Sequence, residues 1–104
     1  MENSYEKISR PMNVAVESIY NALGIAKKIP PSKEELQEAV FQLDKAIDQL
    51  GLIKWGKDAG AADKIYESIW ESADIIKNEP SREDLVTVQC KIERILKDLE
   101  RLYL

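Results

Sequence analysis

Four acidic residues, Asp63, Glu67, Glu71 and Asp74, recur at spacings of four, four and three, which puts them on one face of a helix. Such a stripe can meet a basic partner surface or hold a divalent cation weakly, although a solvated helix face carries the same pattern. Three aromatic residues, Tyr20, Tyr66 and Trp70, fall beside the apolar positions of their segments. They can close the edge of a helical core with their polar tips in water, or line a ligand pocket. Trp55 stands between Lys54 and Lys57 on a Gly-flanked stretch. There it can touch a phosphate, a carboxylate or a partner protein, or it can join Leu52 and Ile53 as an apolar lid, the arrangement that leaves less large apolar surface in water.

The chemistry missing from the chain limits it further. There is no histidine, so the commonest general base, the commonest metal ligand and every Ser-His or Cys-His pairing are absent. Gly56 and Gly60 are isolated and precede no Lys-Ser/Thr pair, so no phosphate-cradling loop is present. The single cysteine, Cys90, provides neither a zinc-binding pair nor a disulfide. Lys91 and Arg94 are the basic residues near it on its helix, and it reads as a small apolar side chain more than a reactive thiol. We expect no enzyme, no cofactor and no metal.

Apolar periodicity shows which elements position these residues. Leu85, Val88, Ile92, Ile95, Leu99 and Leu102 recur at alternating spacings of three and four, the seam of an amphipathic helix. Pro80-Ser81 marks its start, with Asp84 at the capping-box position. Leu36, Ala39, Leu43, Ala46 and Leu50 repeat the rhythm after Pro31-Ser32, with Glu35 at the box position and Gly51 as the expected stop. Two earlier faces, Met12-Val16-Ile19-Leu23-Ala26 and Ala62-Ile65-Ile69-Ala73-Ile76, complete four helices. Tyr5 and Ile8 can extend the first helix backwards, although Pro11 fits best in a first turn.

The halves of the chain also align. Glu17-Ser18-Ile19-Tyr20 matches Glu67-Ser68-Ile69-Trp70 and, after one single-residue gap, Pro31-Ser32-Lys33-Glu34-Glu35-Leu36 matches Pro80-Ser81-Arg82-Glu83-Asp84-Leu85. The match outside the caps favours an internal duplication over convergence of two capped helices. The expected fold is all-α: one domain, 1–104, an antiparallel up-down four-helix bundle of two pseudo-repeated hairpins, about 12–50 and 61–103, joined by a linker at 51–60. With Leu36 and Leu85 taken as position a of a heptad, Phe41 and Cys90 both fall at f, away from the core, and Val86 lies one turn before Cys90. These off-seam apolar residues are candidate partner contacts unless a loop or the N-terminal segment covers them.

Fifteen Lys and Arg against nineteen Asp and Glu give a net charge of -4, shared evenly by the halves, which disfavours a phosphate backbone as partner. No apolar run is long enough for a bilayer, and the polar, acidic start lacks the form of a secretory signal. One cysteine fits a reducing compartment, so the expected location is cytoplasmic. No motif points to a known family. The leading expectation is a small protein-binding module acting through a helix face (an adaptor, inhibitor or regulatory subunit), with another protein or a second copy of itself as partner. The alternatives are a small-molecule binder around Tyr20, Tyr66 and Trp70, and a homo-oligomeric structural protein.

Overall fold

The computed structural model describes the backbone of residues 2–103 and the side chains of residues 10–102. Four helices form: α1 (Glu2–Ala26), α2 (Lys33–Leu50), α3 (Ala59–Lys77) and α4 (Arg82–Tyr103), with a 3-10 turn at Gly56–Asp58. No strand occurs among the described residues. The helices pack as a ring, α1 on α2, α2 on α3, α3 on α4 and α4 back on α1, with the α1–α2 seam the most extensive. No helix of the described chain is long and apolar enough to cross a membrane.

The seams read from the sequence form the core. Ile19, Leu43, Leu50, Ile69, Ile92, Ile95 and Leu99 are almost completely shielded from water, each supplying the roughly 1.5–3 kcal/mol of apolar burial expected of such side chains. At six aligned pairs of the two halves burial agrees, but volume does not. Met12 aligns with Ala62, Ala15 with Ile65, Leu23 with Ala73, Ala26 with Ile76, Ala39 with Val88 and Ala46 with Ile95, all buried. Wherever one half inserts a large side chain in these six pairs, the other supplies alanine or a smaller residue. The first hairpin's seam is consequently rich in alanine, which lets α1 and α2 approach closely.

Both Pro-Ser starts are reciprocal capping boxes. The Ser32 Oγ accepts from the Glu35 amide at 3.0 Å, and the Glu35 carboxylate accepts from the Ser32 amide at 2.8 Å. At α4 the Ser81 Oγ accepts from the Asp84 amide at 3.1 Å, and Asp84 accepts from the Ser81 amide at 2.9 Å. Aspartate thus closes the second box as glutamate closes the first.

Glu35 also receives the Lys28 ammonium. That hydrogen bond, aided by the Ser32 amide, lowers its pKa from 4.5 to about 2. A carboxylate with a depressed folded-state pKa contributes stability that is complete above its unfolded value and disappears as pH falls through the folded one. The melting-temperature gap between wild type and Glu35→Gln is therefore expected to hold above pH 4.5 and to shrink between pH 4.5 and 2. Because the group is exposed, added salt should narrow the gap as well. A gap constant across that pH window would refute the assignment.

Three local features differ from the sequence reading. α1 begins at Glu2, so Pro11 lies inside it instead of in its first turn; the helix accepts the fixed proline φ but loses the bond to the carbonyl four residues earlier. Gly51 ends α2 with φ -66, in the right-handed region, and its amide still donates to the Ile47 carbonyl at 2.9 Å. The left-handed glycine is Gly56, φ 58, where the absence of a Cβ lets the chain turn into Gly56–Asp58. α3 then starts at Ala59, two residues earlier than a linker of 51–60 implies.

Candidate functional site

The clearest concavity with a coherent chemistry lies where the α1–α2 turn meets the start of α4. α1 stops at Ala26 because Ile29-Pro30-Pro31 cannot continue it. Its last turn is closed by the Lys27 amide on the Leu23 carbonyl and the Lys28 amide on the Ile25 carbonyl, each 3.1 Å. The orphan carbonyl of Ala26 accepts instead from the Gln89 side-chain amide of α4 at 2.9 Å, a clasp between the hairpins that satisfies a helix-end acceptor. On the far side, Glu79 takes φ 49, a left-handed conformation costing roughly 1–2 kcal/mol for a residue with a Cβ, and so directs Pro80 into the wall.

The resulting cleft has a volume of about 320 Å³. Ile29, Pro30, Leu85 and Val86 make its apolar surface, and Lys27, Lys28 and Arg82 stand around it. Ile29 is 78% exposed and Val86 51%, so two of the large apolar side chains left in water share one depression. No carboxylate lines it. Of the acids on the adjoining segments, Glu35 is engaged with Lys28 and Ser32, and Asp84 with the Ser81 amide. Among the described residues Lys27 and Arg82 have no ion-pair partner.

A second cleft, of about 370 Å³, occupies the aligned place between α2 and α3. Lys33, Leu36, Gln37, Val40 and Lys77 line it where Arg82, Leu85, Val86, Gln89 and Lys27 line the first. Val86 replaces the polar Gln37, Gln89 replaces the apolar Val40, and Glu79 puts a carboxylate on the rim of the second cleft where the aligned Pro30 has none.

The structure scatters the residues singled out from the sequence. Phe41 is 59% exposed on the outer face of α2, while Val86 and the exposed Cys90 lie on α4, a helix with which α2 shares no side of the ring. They form two separate places, not one patch. Of the acidic stripe, Asp63, Glu67, Glu71 and Asp74 are all exposed. The Glu71 carboxylate lies 3.6 Å from the Lys91 ammonium, and Glu71 and Asp74 join Asp44 and Trp70 in a shallow depression between α3 and α2. No group of three or more metal-ligating side chains occurs among the described residues.

Tyr66 and Trp70 pack against each other on α3, ring centroids 6.2 Å apart. Tyr20, 57% exposed, is on α1 across the ring, so the three aromatics do not converge. Trp55 is half-buried against the core together with Ile53, and its indole N–H is 3.3 Å from both the Leu50 carbonyl and the Tyr66 hydroxyl. Leu52, by contrast, is 68% exposed, so two of the three linker apolar residues cover the bundle.

Ile29, Lys27 and Arg82 are not among the candidate site residues read from the sequence. Ile29 carried a usable signal: an isoleucine between Lys28 and Pro30 in a short turn has no seam to join. Compared with family models, curated proteins and solved structures, the chain gives no significant match to any.

Proposed function

We propose that this chain is a small, non-enzymatic protein-binding module that docks through the surface of its bundle, working in a reducing compartment such as the cytoplasm. The observation that carries the reading is the set of large apolar side chains left more than half exposed, Tyr20, Ile29, Phe41, Leu52, Trp70 and Val86. Scattered single exposures are ordinary, but Ile29 and Val86 share a concave site, and concave apolar sites ringed by polar groups are where partners anchor. The lack of histidine is consistent with binding over catalysis. The aligned seams and capping boxes support reading the hairpins as copies of one ancestral unit.

The test is capture from lysate of the source cell with wild type, Phe41→Asp and Val86→Asp as baits. One protein held in stoichiometric amount by wild type, and lost with one of the two variants while the helical circular dichroism stays unchanged, is the expected result. Identical capture by all three baits would reject Phe41 and Val86 as the docking surface while keeping the module; no protein held by wild type would overturn the reading.

A further inference from the structure

We propose that the cleft formed by Ile29, Pro30, Leu85 and Val86 takes an acidic peptide segment of a partner protein, with one aliphatic or aromatic side chain of that segment seated on the apolar floor. The proposal rests on the protein-binding reading and adds the chemistry of the partner. Charge carries it. In a chain of net charge -4, the cleft is lined by three cations and no carboxylate. Lys28 already serves Glu35, which leaves Lys27 and Arg82 to receive anionic groups on the occupant.

Size and shape fix the rest. A volume of about 320 Å³ is at the small end of sites that bury a ligand, enough for one large side chain with adjoining backbone. The cleft is partly open to solvent, so a long acyl chain would stay partly in water, whereas a peptide has a single anchor to bury and places its neighbouring carboxylates at the rim. The aligned α2–α3 cleft supplies an internal comparison. There Glu79 repels an anion, so the same peptide should prefer the Val86 cleft.

Selection of a random octapeptide library on the immobilised full-length protein tests this, followed by amide NMR mapping and fluorescence titration of the selected peptides. Peptides with acidic residues flanking an apolar one are expected, shifting the amides of Ile29, Arg82 and Val86. Val86→Asp and the pair Lys27→Glu/Arg82→Glu should each weaken binding at least tenfold, with unchanged helical content. Lys33→Glu in the second cleft should change it less than about twofold. Raising salt from 0.1 to 0.5 M should weaken it several-fold.

Acidic peptides that map to Phe41 would overturn the cleft assignment while leaving the protein-binding reading intact. Failure to select any peptide, joined to failure of lysate capture, would remove both. A parallel titration with laurate tests the small-molecule reading: laurate shifts at Ile29 and Val86, with no selected peptide binding there, would overturn the proposal in favour of an anionic lipid.

Discussion

Ile19→Ala and Ile69→Ala are each expected to lower stability by about 2–5 kcal/mol in urea denaturation followed by circular dichroism. Both side chains are completely shielded from water, one from each hairpin and at aligned positions. Each substitution removes three carbon atoms from a close-packed interior that can collapse only partly around the void. Domains of this size hold roughly 5–15 kcal/mol in total, so either change should take a large share and lower the melting temperature by ten degrees or more. The paired design has a use beyond size. If the aligned positions occupy equivalent surroundings, the two costs should agree within about 1 kcal/mol. A cost below 1 kcal/mol at either site would mean that the residue is not in the core as described.

Trp55→Ala is expected to cost about 2–3 kcal/mol, somewhat less than full truncation of a buried aromatic, because Trp55 is only half-buried. Trp55→Phe should retain most of the apolar cover and lose about 1 kcal/mol, since its indole N–H is shared by the Leu50 carbonyl and the Tyr66 hydroxyl. These values separate the two roles open to Trp55 from sequence. A tryptophan held in reserve for a partner leaves stability within about 0.5 kcal/mol when removed; a tryptophan closing the bundle does not. Denaturation of the three proteins decides between them.

The apolar rhythm of three and four revealed the helices, and Ser32 and Ser81 revealed where two of them start, because seam and cap are local patterns that folding requires. The end of α2 was less legible. A glycine after a seam suggests a left-handed stop, but the turn here is made by successive amides of Gly51, Leu52 and Ile53 on Ile47, Gln49 and Leu50, which many sequences can form. Pro11 left the start of α1 open in the sequence: its ring fits a first turn and also, at the loss of one bond, an interior one. The candidate site was least legible. Val86 was visible as an off-seam residue, but its neighbours come from a turn some fifty residues earlier. Only the return of α4 onto α1, pinned by Gln89 on Ala26, brings Ile29 and Lys27 to it. Phe41 and Cys90 share a heptad position, and the ring of helices separates them.

The six large-against-small pairs have a consequence for whether one half can stand in for the other. The first hairpin is the larger at Met12 and Leu23, and the second at Ile65, Ile76, Val88 and Ile95. Neither half is therefore a volume-conserving substitute for the other in a close-packed interior. A chain carrying the core residues of one half at the aligned positions of both is expected to melt lower than the wild type, by calorimetry.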